Sequence, residues 1–551
     1  MHKIISFFGL LFFIALINNA DAQKNHMVVY EQFENNKLIT DKLIKVIADK
    51  NYASISYPNS TEKVIIDYKK RQTIKTAKIK NKKYAVSNNF SILSQASLTK
   101  QTDSILGFEC NKAVYNVFSN NFEVWFTNKA GFKASSSISF CPPEALVLKV
   151  VINGNRSFIA KSISKTDEEI QLPGSDYENL NDAQFTALQI AARYFSIPVF
   201  DKEVINFENN INNIAEEKTD YTYRYAKGNI ILKKIKLPVT KVQGRYFVEL
   251  SDWSNGDAYD RVGSVFTLLP ENEKSMLNAL KYGIDSLPLY KDKAENKYQG
   301  VCAVANYSPV IELMRFFTPF GVGHYNNKRI IDGYIWSDSA VYKQDVTDLI
   351  PSDIKEIWIG VYIGNYDKGG HKVSLRLNYY PEESDEIISN WIKPLFSTVN
   401  IMEAAGQNYG RLFEYDTLRM SFEIPDTISD LQLLFTTTGH GGWENGDEFV
   451  QKNNKIIIDG KTVFDLTPWR SDCGTYRLIN PASGNFPDGL SSSDYSRSNW
   501  CPGTLTPAFV IPLKEIKSGK HQIEVIINQG KPEGGSFSHW CVTGVLTGKI
   551  K

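Results

Sequence analysis

The sequence is poor in histidine and cysteine, carries no excess charge of either sign, and beyond its first residues holds no long apolar run. Only seven histidines occur in 551 residues, with no His-x-His or His-His pair. A copper centre, which is built from sets of imidazole ligands, has little to draw on. The six cysteines include no Cys-x-x-Cys, so neither a zinc ribbon nor a thioredoxin-type redox site is supported. Lys and Arg number 62 against 61 Asp and Glu, a net charge of +1, whereas a dedicated nucleic-acid binder shows a basic excess. No segment after residue 17 reaches about 18 consecutive apolar residues, so no membrane span is expected.

Aromatic residues, by contrast, make up 12% of the chain, with 31 Phe, 28 Tyr and 9 Trp. They favour strands, and exposed aromatic faces suit the apolar C–H faces of sugar rings; the plainer reading is a β-rich core. The N-terminus opens with Met1-His2-Lys3, continues nearly all apolar from 4 to 17, and leaves through Ala20-Asp21-Ala22. This is the pattern of a secretory signal peptide cut near Ala22. No Cys follows it to take a lipid anchor. The mature protein is expected to be exported, either secreted or periplasmic.

Short β-like runs alternate with turns over 28–153. One helix is expected at 182–193 (DAQFTALQIAAR), with Asp182 as N-cap and Phe185, Leu188, Ala191 and Ala192 on one face. The stretch 73–80 (TIKTAKIK) alternates cationic with small or apolar residues. It reads as a solvated strand face or as a grip for a sulphated or phosphorylated polymer. A polar linker is expected at 209–217. Strand patterns then resume and persist to the end, with a hairpin at 456–464 turning at Asp459-Gly460, and a break near 381–385 divides this half. The expected organisation is a signal peptide (1–22), an N-terminal β-rich domain with about one helix (23–222), and two all-β units (223–385 and 386–551) built as sandwiches or jelly rolls.

Three polar clusters can carry chemistry. The first, 253–261 (WSNGDAYDR), follows a strand and holds Asp257, Asp260 and Arg261 close to Asp252. A carboxylate beside an arginine stays ionised and can orient or deprotonate water, although such a loop can also be knitted together by Asx-turns and an ion pair. The second, 438–449 (TGHGGWENGDEF), offers His440, Glu444, Asp447 and Glu448 as acid and base or as ligands for a hard cation such as calcium. The third is the long loop 465–503 with Arg470, Arg477, Arg497 and Trp500; long ordered loops on β scaffolds are where binding sites gather. Cys473 and Cys501 both lie in this polar insertion and are the first expected disulfide. Cys110 and Cys141 are the second, with Cys302 and Cys541 left free.

From about residue 228 onward the chain resembles the peptide-N-glycosidase F family of bacterial amidases. The resemblance is carried by Asp257-Ala-Tyr-Asp-Arg261, Arg315-Phe-Phe-Thr-Pro-Phe-Gly-Val-Gly323, Thr438-Gly-His440, Gly446-Asp-Glu-Phe449 and Arg497-Ser-Asn-Trp-Cys-Pro-Gly503, in the family's order and near its spacing. The upstream segment resembles GLPGLI-type secreted domains through Cys110-Asn-Lys-Ala113 and Trp125-Phe-Thr127, without that family's signature sequence. The main resemblance implies two packed antiparallel eight-stranded jelly rolls behind the N-terminal domain, with a cleft between them. It implies a monomer that uses no metal and no cofactor to cleave the amide joining Asn to the innermost N-acetylglucosamine of an N-linked glycan. It puts the primary aspartate at Asp260 and the essential glutamate at Glu448. Arg261, Asp257, His440, Arg497 and Trp500 become supporting or substrate-binding residues, and Cys473–Cys501 the disulfide of the long loop.

One position departs from the family. The prototype carries a second glutamate on a central strand of its first jelly roll; here that strand reads 358–369 (WIGVYIGNYDKG), which puts Ile363 opposite it and leaves Asp367 as the nearest acid. A differently shaped sugar pocket is expected, with the reaction retained. The alternatives are a two-carboxylate glycosidase using Asp260 and Glu448, and a non-catalytic glycan-binding or adhesion protein.

Overall fold

In a computed structural model the protein is described over residues 25–550, apart from 41, 59, 61, 80, 90–96, 118, 138–144, 209–216, 239–243, 269–273, 353, 382–388, 442–445 and 532–537. The expected signal peptide, most of the linker and the break after Pro381 lie outside the described residues. The chain forms two compact units, 1–192 and 193–551. The strand Phe195–Ile205 pairs with His371–Pro381, so the start of the second unit lies inside the stretch that sequence patterning grouped with the N-terminal domain.

The first unit is built on one sheet. Sequence neighbours pair antiparallel from Ile44–Ala48 to Lys82–Asn89 on one side and from Ser97–Ile105 to Arg156–Thr166 on the other. The first strand, Asn25–Glu34, joins the two series. Burial alternates along it, with Val28 and Tyr30 inward, because successive side chains of a strand point to opposite faces. The helix forms at Asp182–Arg193, where the pattern placed it. Its cap is one residue earlier than expected: Asn181 Oδ1 accepts from the Gln184 backbone N–H at 2.9 Å, and Gln184 Oε1 accepts from the Asn181 N–H at 3.1 Å. This reciprocal capping box satisfies two end donors that Asp182, already helical, does not. Only Phe185 is buried, against Ala77, Tyr84 and Val86, and Ala191 and Ala192 face solvent. On the neighbouring strand Lys75 approaches Asp182 at 3.6 Å.

The second unit contains two sandwiches. The first faces a four-stranded sheet, with Gly244–Ser254 between His371–Pro381 and Ala340–Asp345, onto a six-stranded sheet ordered Thr222–Tyr225, Ile230–Lys236, Glu356–Ile363, Val262–Leu268, Ile311–Phe317 and Leu505–Thr506. The second packs two four-stranded sheets, one centred on His539–Ile550 and Ile428–His440, the other on Gly519–Ile527 and Asn454–Ile458. The expected eight strands thus hold for the second sandwich, while the first has ten. One of the two additional strands, the edge strand Leu505–Thr506, is lent by the long loop of the second half, with Arg315 opposite Thr506. The hairpin at Asp459-Gly460 is present, both residues at positive φ, as a two-residue turn between twisted strands demands.

A buried ion pair ties the sandwiches together. Arg315 and Glu312, with side chains 0% and 2% exposed, meet through Nε–Oε1 at 2.6 Å and Nη2–Oε2 at 2.8 Å. Arg315 Nη1 crosses to Thr438 Oγ1 at 2.9 Å and to the Cys541 carbonyl at 3.1 Å, and Glu312 accepts from Ser264 and from Thr543 of the second sandwich. Nearly every polar atom of the pair is satisfied, which is the condition for burying charge. Cys473 and Cys501 are joined. Cys302 and Cys541 are free, and so is Cys110, which corrects the second expected pairing; Cys141 lies outside the described residues. No helix among the described residues is long and apolar enough to cross a membrane.

Candidate active site

The polar clusters converge where the sandwiches meet. Asp260 ends the loop entering the strand Val262–Leu268, and Glu448 lies in the turn after Ile428–His440. Arg497 comes from the long loop, held by paired backbone bonds to Arg470 at 2.8 and 3.0 Å. Arg497 is the hub. Its Nε reaches Glu448 Oε1 at 3.0 Å and its Nη2 reaches Asp260 Oδ2 at 3.4 Å. Its side chain is 1% exposed, while the two acids keep 16% and 19%, so the acids open to solvent and the arginine lies behind them. The guanidinium sits against Phe449 at 5.1 Å and Trp500 at 4.8 Å from the ring centroids, with Nη1 donating to the Tyr495 carbonyl. A planar cation stacked this way is fixed in orientation as well as charge.

Electrostatics follow from that arrangement. Burial pushes Asp260 up to about 7, with Arg497 opposing and the Glu448 charge adding to the rise. Burial also raises Glu448, against Arg497. Two acids sharing one arginine in a desolvated site titrate as a pair, and near neutral pH such a pair can both take up and give a proton. Asp257 differs. Burial pushes it up, but His371 and Arg261 outweigh that and hold it down at about 2. It grips Arg261 through Nε at 2.8 Å and Nη2 at 3.2 Å, so it orients a cation and stays ionised. Tyr259, 62% exposed, lies 5.0 Å from that guanidinium.

His440 donates to or accepts from Thr438 Oγ1 at 2.7 Å. Burial, His539, Arg315 and Arg497 drive its pKa far down, so it is a neutral hydrogen-bonding imidazole. Trp500 stacks on Phe317 at 4.3 Å and donates to the Gly439 carbonyl; at 3% exposed it backs the site and offers no face to a sugar. Gly439 itself is closely packed, since a Cβ there would lie 2.8–2.9 Å from Trp540, the Asp447 carbonyl and Ser498. Asp447, one of the residues that could have served as a cation ligand, is fully buried and accepts from Trp540 Nε1 and the Gly530 N–H. Glu444 lies outside the described residues, and among those described no three or more His, Cys, Asp or Glu are grouped as a metal site.

Ile363 is fully buried in the core of the first sandwich. Asp367 Oδ1 accepts from the Gly369 and Gly370 N–H groups at 2.7 and 2.9 Å, an Asx-type turn. Asp367→Ala is therefore expected to cost stability by about 1 kcal/mol while leaving any turnover near the wild-type level. Thermal melts and initial rates check this, and loss of turnover in a folded Asp367→Ala protein would show that this acid works in the site. Sequence reasoning assigned no role to His371, which lies fully buried between Asp252 and Asp257. An isolated histidine opening a strand gives no pattern to detect.

Comparison with known proteins matches this chain to three family models. These are peptide-N-glycosidase F, N terminal, over 196–379; peptide-N-glycosidase F, C terminal, over 408–547; and N-glycanase peptide, N-terminal domain, over 20–186. The last covers the segment likened above to GLPGLI-type domains. Two crystal structures of PNGF-II, in different space groups, are similar. One is 40% identical and covers 96% of this chain and 100% of that chain, with a TM-score of 0.72. The other is 41% identical and covers 96% and 98%, with a TM-score of 0.65. No curated protein matches.

Proposed function

The chain belongs to the peptide-N-glycosidase F family, and on that premise we propose that it is an exported amidohydrolase that cleaves the amide between Asn and the innermost N-acetylglucosamine of N-linked glycans. The observation that carries the reading is the meeting of Asp260 and Glu448, from different sandwiches, on the single buried Arg497. A secondary amide needs an activated water and a protonated leaving nitrogen. Asp260, poised near neutrality, takes a proton from water as its oxygen attacks the side-chain carbonyl carbon of Asn. Arg261, 23% exposed, faces the negative charge that builds on the carbonyl oxygen, while Arg497 holds the two carboxylates from behind. Glu448 binds the sugar and assists delivery of a proton to the glycosyl nitrogen as the C–N bond breaks. Aspartate remains on the peptide and a glycosylamine leaves. The substrate is a glycan on a peptide or glycoprotein, and the enzyme acts as a monomer without metal or cofactor.

The products test the reading. A defined N-glycopeptide incubated with the protein and EDTA is expected to yield a peptide with Asp in place of glycosylated Asn. A peptide keeping one N-acetylglucosamine would instead support the glycosidase alternative, and an unaltered glycopeptide across high-mannose and core-fucosylated panels would favour a glycan-binding protein.

A further inference from the structure

Arg261 ends a line of four charges whose link, His371, no sequence motif marks. Asp252 Oδ1 meets His371 Nδ1 at 3.1 Å; His371 Nε2 faces Asp257 Oδ2 at 3.7 Å; Asp257 grips Arg261 through two nitrogens. Asp252 and His371 are 0% exposed and Asp257 1%, whereas Arg261 keeps 23%. The line therefore runs from the interior of the first sandwich outward to the residue next to Asp260. The signs alternate, and every member but the last is out of water.

His371 is fixed by backbone as well as charge. It opens the strand His371–Pro381, opposite Ser254 on one side and Ile205 on the other. The preceding Gly370, at φ +64, has no room for a Cβ, which would lie 2.0 Å from the Ile205 carbonyl. The Gly370 carbonyl accepts from the Asn255 and Asp257 N–H groups, so ring and loop are registered together. Nε2 of His371 and Oδ2 of Asp252 make no hydrogen bond. The contact with Asp257 is thus electrostatic, and its strength rests on the ring carrying both protons. Asp257 is held between two cations, and its direction decides where Arg261 points.

We propose that His371 is a positioning residue, a buried imidazolium that sets Arg261 against the reacting carbonyl through Asp257. The inference rests on the function proposed above. Removing the ring charge leaves Asp252 and Asp257 buried without a partner between them, and Asp257 then protonates or turns away from Arg261.

The test measures glycopeptide turnover and its pH dependence in wild type, His371→Gln and Asp252→Asn. The groups facing the ring are Asp252 and Asp257. Tyr342 from the adjacent strand is driven well above 10 by burial and the Asp252 charge, and is not a competitor. Burial works against the imidazolium, but Asp252 and Asp257 hold its proton on to about 9, so wild-type turnover falls as pH rises through that value. His371→Gln is expected to lower kcat on the order of tenfold to a hundredfold, the effect of a misplaced group, with KM little changed and the alkaline limb gone. Asp252→Asn, which keeps the ring, is expected to move that limb to lower pH. A purely structural histidine would lower the melting temperature alone. Folded His371→Gln with wild-type kcat overturns the proposal, and so does an unmoved limb in Asp252→Asn, the deciding result if the glutamine variant does not fold. If wild type releases no glycan, the proposed function fails instead, and NMR titration of the His371 ring in wild type and Asp252→Asn still reads the charge line.

Discussion

Asp260→Asn is expected to lower kcat by about 10²–10⁴-fold, the range for loss of a general acid–base group, with a melting temperature near that of wild type. The substitution keeps shape and a hydrogen-bonding oxygen toward Arg497 but removes the carboxyl brought to about 7. Because burial and the Glu448 charge raise that value, the ionised form that accepts a proton dominates only above it. Wild-type kcat/KM should therefore climb as pH rises through about 7, and the asparagine variant should lose that limb. Steady-state kinetics on a defined glycopeptide, with thermal melts on the same samples, check both statements. Glu448→Gln should also be impaired, since the second acid and the Arg497 Nε share one bond. Near-wild-type rates in the folded Asp260→Asn protein would remove this residue from the mechanism.

Arg315→Met carries the largest expected effect on stability, a loss of about 3–5 kcal/mol, because it strands a buried carboxylate. Glu312 would keep only Ser264 and Thr543 as partners, and Thr438 would lose the donor that links it to the first sandwich. The double change Arg315→Met, Glu312→Leu should recover most of the loss, since an apolar pair of similar volume needs no compensation. Denaturant unfolding of the single and double variants measures it. A double variant no more stable than the single one would show that the pair contributes through its shape rather than its charge. Thr438 also bonds His440, so the single variant should perturb the site before the protein unfolds.

Much of this molecule was legible in its residue order. The hairpin turning at Asp459-Gly460 was legible because a two-residue turn at positive φ between β-branched runs leaves a local signature. The helix was equally plain, though its cap was misread, since Asn181 and Asp182 are both good caps and only the Gln184 bond distinguishes them. The strand Leu505–Thr506 was not legible: two residues carry no period, and their partner is nearly two hundred positions away. The site divides along the same line. Asp260, Glu448 and Arg497 stand in dense polar motifs and could be named, whereas their meeting depends on how two sandwiches pack. His371 was missed because its partners Asp252 and Asp257 lie more than a hundred positions away, and the role of the Glu312–Arg315 pair was missed because its links to Thr438 and Thr543 join separate sandwiches.

The account turns on Asp260 and Glu448 behaving as one titrating pair around Arg497. The most direct measurement is an NMR titration of the Asp260 carboxyl carbon, assigned by its absence in Asp260→Asn, in wild type and Glu448→Gln. The predicted result is a midpoint near 7 in wild type, displaced to lower pH once the Glu448 charge is gone. Identical titrations in the two proteins, or an ordinary aspartate midpoint in wild type, would contradict it.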